Sequence, residues 1–391
     1  MTRVLHVSDV YRPDVGGIEV FVGDLAARQT ALGHDVTVLT PTPGAGPEPD
    51  EEFRVQRTGR GAAALAARLV RDRAAGGGYD VVHAHLSVFS PFTSLVARAA
   101  VSAGIPTVVT VHSMVGDKRW VLRTVGRVVG WDHWEAVWTT VSDAAATDLR
   151  SVLPGGAPVA VVPNAIDVGW WRAEARTARP VSAARPVTVL SVMRLVPRKR
   201  PLALLSMLES MRERVDPEVA LAAWIVGDGP LTARLQDELE RRGLADWVTL
   251  TGGHDRTAIR ELCRHADLYV APATRESFGI AALEARAAGL PIVAMRSGGV
   301  RDFVRDGVEG LLVDSDDDMA DALAALAVDA PRRAGIADHN SGVAPQADWP
   351  VVAAEFDRVY ATAAELAARS PSARHQGRPG VRSLRSEKMT S

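Results

Sequence analysis

The chain has 391 residues, of which 47% are hydrophobic and 24% charged, and its formal net charge is −2. This length exceeds what one hydrophobic core usually supports, so two domains are expected, and the nearly balanced charge argues against a dedicated nucleic-acid-binding protein. The single cysteine, Cys263, excludes an internal disulfide, and without a signal-peptide pattern or an apolar run of roughly 20 residues a cytoplasmic location is expected.

Short apolar runs alternate with helical patterns through the first half of the chain. The predicted strands are residues 4–10, 35–40, 80–84, 107–112, 138–142 and 159–162, and clear helical patterns cover residues 19–32 and 91–103. Strands that alternate with helices indicate a parallel sheet covered on both faces. We therefore predict an α/β, Rossmann-like N-terminal domain over residues 1–175.

The same alternation restarts after a stretch rich in proline, alanine and arginine, residues 172–186, which we interpret as a linker. The predicted strands are residues 187–192, 221–226, 248–250, 268–270, 292–295 and 311–313, and the helices include residues 201–214, 231–242, 257–265 and 278–288. These elements predict a second Rossmann-like domain over residues 186–345, facing the first across a cleft. A helix over residues 349–369 is expected to return to the N-terminal domain, and residues 370–391 are expected to be disordered.

A glycine pair and three histidines accompany the strands of the first domain. Gly16 and Gly17 lie between the first strand and the first helix, where backbone N–H groups can approach an anion closely. His83, His85 and His112 are placed at the ends of two strands, so we expect their side chains in the crevice outside those ends. Either histidine site alone is equally compatible with a structural role. No metal site is predicted, since acidic or cysteine partners at ligand spacing are absent from the sequence.

A cluster of cations follows the first strand of the second domain. It includes Arg194, Arg198, Lys199 and Arg200, directly before a predicted helix. Arginine supplies a planar fork and lysine a point charge, which together suit a diphosphate. A solvated basic loop is the alternative for this cluster taken alone.

Two glutamates mark another strand end of the same domain. Glu276 lies in the loop after strand 268–270, and Glu284 lies about two turns into the Ala-rich helix that follows. Open α/β sheets bind ligands outside the carboxyl ends of their strands, beside helix N-termini. Convergence of the glutamates with the cation cluster therefore predicts a ligand site at this sheet edge.

These residues together resemble the family 4 retaining glycosyltransferases of the GT-B fold, which include phosphatidylinositol mannosyltransferases and inositol-phosphate N-acetylglucosaminyltransferases. The resemblance extends from the first strand to about residue 360. The matching segments are Pro13-Asp14-Val15-Gly16-Gly17-Ile18-Glu19, Leu32-Gly33-His34-Asp35-Val36-Thr37-Val38, Pro163-Asn164-Ala165-Ile166-Asp167, Val226-Gly227-Asp228-Gly229-Pro230, Asp306-Gly307-Val308-Glu309-Gly310-Leu311-Leu312-Val313 and the Glu276-x7-Glu284 helix.

The resemblance implies roles for particular residues. The catalytic set would be His112, Glu276, Arg194 and Lys199, in which His112 and Glu276 bond the donor sugar and the two cations meet the diphosphate. The donor-binding set would be Gly16, Gly17, Phe278, Gly279, Ile280 and Glu284, in which Glu284 accepts the ribose hydroxyls.

Three residues depart from the family pattern. Met193, Arg200 and Ala165 occupy positions where that family commonly has glycine. None of them removes a charged group, so they bear on the shape of the phosphate loop and not on its chemistry.

The implied reaction moves a hexose from a UDP- or GDP-linked donor to a hydroxyl, with retention, without a metal and without a cofactor. Two alternatives keep the fold: a nucleotide-sugar epimerase or disaccharide phosphorylase, and a non-catalytic nucleotide-sugar-binding subunit. The acceptor is expected to be a small molecule, a polyol or a lipid-linked group. The basic and apolar stretch over residues 118–129, followed by Trp131, Trp134 and Trp138, is compatible with an anionic acceptor, with peripheral membrane contact or with a packed helix.

Overall fold

A computed structural model gives the three-dimensional structure of the chain. It describes residues 1–14, 16–44, 52–58, 78–87, 89–116, 119–153, 157–172 and 185–369, together with residues 64, 68, 69 and 72. Most of the predicted linker and the predicted C-terminal tail lie outside these described residues.

The first domain is built on a parallel sheet of seven strands in the order β3-β2-β1-β4-β5-β6-β7. The strands are β1 Arg3–Ser8, β2 Asp35–Thr40, β3 Arg54–Arg57, β4 Val81–Leu86, β5 Thr107–Val111, β6 Val137–Thr140 and β7 Val159–Val161. The strand order reverses direction between β1 and β4, which is where such sheets open a crevice at their carboxyl edge. The edge strand β3 has no counterpart in the sequence prediction, because it is short and no apolar alternation marks it.

Helices cover both faces of this sheet. They are α1 Gly17–Ala31, α2 Pro91–Ser102, α3 Arg119–Val129 and α4 Asp143–Arg150. A short helix, α5 Val168–Arg172, follows β7 and instead packs Val168 and Trp171 into a core cluster of the second domain. The last helix of the described chain also packs here: Phe356 and Val359 share one buried cluster with Val4, Phe21 and Val108. The C-terminal helix therefore completes the core of the N-terminal sheet.

The second domain repeats the architecture with six parallel strands in the order β10-β9-β8-β11-β12-β13. The strands are β8 Val187–Val192, β9 Leu221–Val226, β10 Val248–Gly252, β11 Leu268–Ala271, β12 Ile292–Met295 and β13 Gly310–Val313. The helices are α6 Pro201–Arg214, α7 Thr232–Arg241, α8 Arg256–His265, α9 Ile280–Ala287, α10 Asp316–Val328, α11 Ala330–Gly342 and the returning α12 Trp349–Arg369. Here the order reverses between β8 and β11. The predicted fold class, two Rossmann-like parallel sheets, is confirmed.

Ion pairs and hydrogen bonds join the two domains across the cleft. Arg256, at the start of α8, binds Asp24 of α1 at 2.9 Å. The backbone N–H of Asp143 donates to Asp302 at 2.6 Å. On the connected side, Ile166 pairs with Asp348 as an isolated parallel bridge. These contacts bring the carboxyl edges of the two sheets to opposite walls of one cleft.

Candidate functional site

The cleft contains a cavity of about 810 Å³ at the reversal points of the two sheets. Its walls include most of the residues predicted for the site: Gly16, Gly17, His112, Arg194, Lys199, Glu276, Phe278, Gly279 and Ile280. Glu284 is the predicted residue that does not line it. The structure thus gathers residues that are far apart in sequence, from both domains, around one space.

An ion pair forms the charged centre of the second-domain wall. The Lys199 ammonium contacts the Glu276 carboxylate directly, and both side chains are largely shielded from solvent, at 22% and 15% exposure. Glu276 is held from behind, because Gly299 donates its N–H to the Glu276 carbonyl at 2.8 Å. A Cβ on Gly299 would lie 2.3 Å from the Ser277 carbonyl oxygen, so only glycine permits this approach.

Close backbone packing also shapes the loop that carries the cations. A Cβ on Gly227 would lie 1.9 Å from the Met193 carbonyl oxygen, and Gly227 itself has φ of +132°. Leu195 donates its N–H to the Asp228 carbonyl at 2.8 Å. The turn after β9 is therefore pressed against the turn after β8, which presents the exposed Arg194 side chain to the cavity.

The backbone at Arg200 shows why glycine is common at this position in the family pattern. It has φ of +60°, in the left-handed region that glycine adopts without strain. Its guanidinium donates to the Pro272 carbonyl at 3.0 Å and pairs with Asp316 at 2.6 Å. Arg200 therefore anchors the loop from outside the cavity, while Lys199 and Arg194 line it.

Helix α9 begins two residues later than predicted. It starts at Ile280, with Gly279 as the N-cap residue at φ of +96°. Phe278 is buried and packs on Phe303 at 5.1 Å between ring centroids. The Phe278 side chain is thus a core residue, and the backbone beside Gly279 is the part that borders the cavity.

Glu284 occupies a different environment from Glu276. Its side chain is 9% exposed and lies 3.8 Å from Arg256, the residue that also binds Asp24 across the cleft. Burial raises the pKa of Glu284 to about 7, although the Arg256 charge opposes the shift. Glu284 therefore lies outside the walls of the main cavity, beside the ion pair that Arg256 forms with Asp24.

The first-domain wall contributes the glycine turn and His112. Gly16 is extended, with φ of −167°, and caps α1. The Glu19 carboxylate packs against the Gly16 Cα, and a Cβ at position 16 would lie 2.5 Å from it. His112 directly follows β5 and lines the cavity with 7% of its surface exposed. Burial lowers the pKa of His112 to about 3, so its imidazole is neutral.

His83 and His85 do not reach the crevice, contrary to expectation. Both lie within β4 and are 0% and 1% exposed. Their side chains point to the face of the sheet that α1 and α12 cover, where His83 bonds Tyr360 and His85 bonds His6. Alternation along the strand places both on this same buried face.

Three polar residues that line the cavity were not predicted as site residues. Asp228 lies on the second-domain side, and Glu19 and Asn164 lie on the other. Arg198, from the predicted cation cluster, also lines the cavity. The pKa of Glu19 is raised by burial, and the buried Asn164 Oδ1 accepts no hydrogen bond within the described structure. Glu19 and Asn164 both belong to the segments that match the family, and that match was the sequence signal that could have identified them.

The basic stretch considered for acceptor binding forms helix α3. Two of its cations are engaged by the protein: Arg119 pairs with Asp148 at 3.0 Å, and Arg123 donates to the Ser151 carbonyl at 2.8 Å. Trp120 and Val128 are 73% and 79% exposed. The exposed part of α3 is therefore more apolar than the sequence alone suggests.

The three tryptophans that follow α3 belong to the core. Trp131, Trp134 and Trp138 are at most 9% exposed, and the last two stack at 5.9 Å. They anchor α3 against the sheet and are not available to an acceptor or a membrane.

Comparison with known families and structures agrees with this architecture. The model described as "Glycosyltransferase Family 4" matches residues 15–170, and the model described as "Glycosyl transferases group 1" matches residues 174–339. The first model spans β2 to β7 of the first sheet, and the second spans all six strands of the second sheet.

Curated relatives align over nearly the whole chain. A GDP-mannose-dependent alpha-(1-6)-phosphatidylinositol monomannoside mannosyltransferase of Mycobacterium tuberculosis is 32% identical over 91% of this chain and 97% of its own. A D-inositol 3-phosphate glycosyltransferase of Actinosynnema mirum is 31% identical, over 88% of this chain and 92% of its own.

Solved structures share the fold. HepE of Anabaena, determined in complex with UDP, superposes with a TM-score of 0.75 at 21% identity, covering 92% of this chain and all of that one. Sucrose-phosphate synthase from Thermosynechococcus elongatus gives a TM-score of 0.70 at 19% identity, covering 93% of this chain and 99% of that one.

The environment of Glu284 generates a stability prediction. Because its pKa is about 7 in the folded chain and about 4.5 when unfolded, the folded state holds a proton that the unfolded state releases between these pH values. Ionisation of Glu284 should therefore lower the free energy of unfolding of the wild type as pH rises from about 4.5 to 7, by up to about 3 kcal/mol. Glu284→Gln carries no charge to bury and should gain stability relative to wild type over the same range, measured by urea unfolding of ligand-free protein at pH 5 and pH 8.

The exposed Glu213 offers a matched control, since Glu213→Gln removes a carboxylate that is not buried. Its stability difference from wild type should stay constant between the two pH values. If the stability difference between Glu284→Gln and wild type is also independent of pH, the burial of Glu284 does not raise its pKa as stated.

Proposed function

This chain belongs to the family 4 glycosyltransferases of the GT-B fold, and we propose that it transfers a hexose from a nucleoside diphosphate sugar to a hydroxyl of a phosphorylated polyol, with retention of anomeric configuration. The observation that carries the proposal is the placement of Arg194, Lys199 and Glu276 on one wall of the cavity and His112 on the opposite wall. Cations for a diphosphate thus face a group that can hydrogen-bond a sugar.

The donor would lie along the second-domain wall. Arg194 and Lys199 offer a fork and a point charge for the diphosphate, and Glu276 accepts hydrogen bonds from sugar hydroxyls. The donor sugar would compete with Lys199 for the Glu276 carboxylate, since the two are in contact in this ligand-free chain. Glu284, about one turn into α9, would accept the ribose hydroxyls after Arg256 moves aside. Donor binding is further supported by HepE of Anabaena, whose structures contain UDP and UDP-glucose.

The chemistry requires charge stabilisation more than a protein nucleophile. When the glycosidic bond to the diphosphate breaks, negative charge builds on the leaving oxygen, and preorganised cations stabilise it in a partly desolvated cleft. The acceptor hydroxyl would attack from the same face of the sugar and lose its proton toward the departing phosphate. His112, neutral at physiological pH, would orient the sugar through a hydrogen bond.

Donor binding and turnover should separate in two variants. Lys199→Ala removes a diphosphate cation and should weaken nucleoside diphosphate binding about tenfold or more, whereas Glu276→Gln should reduce turnover about 100-fold and keep nucleotide binding. The measurements are thermal stabilisation by UDP and GDP and their hexose conjugates, followed by transfer or slow hydrolysis of the best donor.

Exposed residues on α7 and α6 supply the controls. Arg234→Ala removes a cation and Glu213→Gln removes a carboxylate, and neither residue lines the cavity. Neither should change donor binding or turnover. If no nucleoside diphosphate sugar stabilises the protein, the proposed donor class is wrong. If donors bind but are never turned over with any acceptor, the non-catalytic alternative replaces the transferase proposal.

We expect the transfer to need no divalent metal and no cofactor, because Arg194 and Lys199 supply the positive charge that a metal supplies elsewhere. Activity should therefore survive EDTA. Loss of activity in EDTA with recovery in magnesium or manganese would contradict metal independence.

The product should have the anomeric configuration of the donor when the reaction is followed by proton NMR during the first turnovers. A product with the inverted configuration would contradict retention.

The acceptor proposal rests on the relatives and on the first domain. The relatives at 31–32% identity are described as acting on phosphatidylinositol monomannoside and on D-inositol 3-phosphate, both phosphorylated cyclitols. None of the described helices is long and apolar enough to cross a membrane. The exposed Trp120 and Val128, with Arg127 beside them, would instead let α3 lie on an anionic membrane surface when the acceptor is lipid-linked.

A lipid-linked and a soluble acceptor can be told apart by Trp120→Ser combined with Val128→Ser. The double variant should lose most binding to phosphatidylinositol vesicles, measured by co-sedimentation, because apolar burial at the interface is removed. Transfer to soluble inositol phosphate should stay within twofold of wild type. Unchanged vesicle binding would contradict the proposed membrane face, whereas transfer to neither acceptor by wild type would contradict the acceptor class.

A further inference from the structure

A continuous chain of buried hydrogen bonds runs through the first domain and ends at His112. We call it the histidine relay, and its members are Thr139, Thr110, His83, Tyr360, Gln29, His6, His85 and His112. It crosses strands β1, β4, β5 and β6 and takes Gln29 from α1 and Tyr360 from α12. Apart from Tyr360 and His112, which are 7% exposed, every member is at most 1% exposed.

The relay has no gap between its ends. The successive distances are 2.5 Å for Thr139–Thr110, 2.7 Å for Thr110–His83, 2.9 Å for His83–Tyr360, 2.9 Å for Tyr360–Gln29, 2.7 Å for Gln29–His6, 2.9 Å for His6–His85 and 3.0 Å for His85–His112. Each neutral imidazole donates through one ring nitrogen and accepts through the other. A fixed direction at the Gln29–His6 link therefore fixes the tautomers of His6, His85 and His112 in turn, because these links join ring nitrogens directly.

The Gln29 amide sets that direction. Its Nε2 donates to the Tyr360 hydroxyl, and its Oε1 faces His6 Nε2, which must then carry the proton. His6 Nδ1 is left as an acceptor, so His85 Nε2 donates to it, and His85 Nδ1 in turn accepts from His112 Nε2. The ring nitrogen of His112 that remains for the cavity is Nδ1, without a proton.

The other branch is consistent with the same direction. Tyr360 accepts from Gln29 and can therefore donate its own proton to His83 Nδ1. His83 Nε2 then donates to Thr110, whose hydroxyl can donate to Thr139. Complete burial lowers the pKa of His6 to about 4 and holds the pKa values of His83 and His85 well below the usual range, so the rings stay neutral.

His6, His83 and His85 are close enough together to suggest a metal site instead. However, each of their six ring nitrogens already has a hydrogen-bond partner within the relay. A metal ion would need three of these nitrogens as free lone pairs and would leave Gln29, Tyr360 or His112 without this partner in the buried interior. The hydrogen-bond chain accounts for the cluster without an ion.

We propose that the histidine relay fixes His112 as the neutral tautomer protonated on Nε2, so that Nδ1 presents a lone pair to the substrate cavity. His112 then accepts a hydrogen bond from a hydroxyl group in the cavity and cannot donate one to it, because its one ring N–H is donated to His85. Gln29 is the residue that sets this direction, acting from the opposite end of three links. The hydroxyl itself, on the bound sugar, rests on the proposed function, whereas the tautomer does not.

The tautomer can be read directly by NMR of protein labelled with ¹⁵N-histidine, without any ligand. The His112 signals, assigned by their loss in His112→Gln, should show a protonated Nε2 and an unprotonated Nδ1 between pH 6 and pH 8. A proton on Nδ1, or an equal mixture of the two forms, would overturn the proposal. This measurement stands even if no donor is ever identified, so its failure is distinct from failure of the proposed function.

Two substitutions at position 29 test whether Gln29 sets the direction. Gln29→Met removes both directing hydrogen bonds, so the His112 signals should move toward a mixture of tautomers and kcat/KM should fall about tenfold, the value of roughly one hydrogen bond. Gln29→Glu keeps an acceptor for His6 Nε2 and should restore the wild-type His112 pattern and most of the activity.

Thr107→Val is the matched control, because it removes another fully buried hydrogen bond of the same sheet, from Thr107 Oγ1 to the Ile105 carbonyl, outside the relay. It should lower the melting temperature and leave the His112 signals and kcat/KM unchanged. If Gln29→Met behaves like Thr107→Val, the relay is structural only and the proposal is wrong. If Gln29→Met does not fold, the wild-type spectrum alone decides.

Discussion

The site depends on one topological constraint: two parallel sheets present their carboxyl edges to the same cleft. Each sheet reverses its strand order at one point, β1/β4 in the first and β8/β11 in the second, and the cavity lies where these points face each other. The loops after those strands carry the glycine turn, the cations and Glu276. No single loop could assemble this set, because the cations and the histidine must approach a substrate from opposite sides.

Close backbone contacts hold the charged loops in place. Gly227 against Met193 and Gly299 against Ser277 bring turns nearer than any side chain would allow, and Arg200 ties the cation loop to Pro272 and Asp316 from behind. The loops that carry the charged groups of the cavity are therefore held in fixed positions by backbone contacts. Electrostatic stabilisation of a leaving group needs such preorganisation, since charges that must reorient contribute less.

The sequence was sufficient for the fold and for most of the cavity wall, because apolar periodicity and glycine spacing are local signals. It was insufficient where long-range contacts decide. The Gln29–Tyr360 bond joins residues 331 positions apart, so the buried role of His83 could not be recognised from its strand alone. Likewise, the engagement of Arg119 by Asp148 and the burial of Glu284 beside Arg256 depend on neighbouring elements and not on the helices that carry them.

The bridge between Ile166 and Asp348 restricts how the cleft can open. The outgoing and returning chain segments run side by side there: Ile166 donates its N–H to the Ala347 carbonyl at 3.2 Å, and Val168 donates to Asp348 at 3.2 Å. Because these two interdomain segments are hydrogen-bonded to each other on one side of the cleft, rotation of the domains about the segments is favoured over sliding of one sheet past the other. Opening would then change the gap between the walls without changing their register, so every substrate would meet the same alignment of His112 with Glu276 each time the cleft closes.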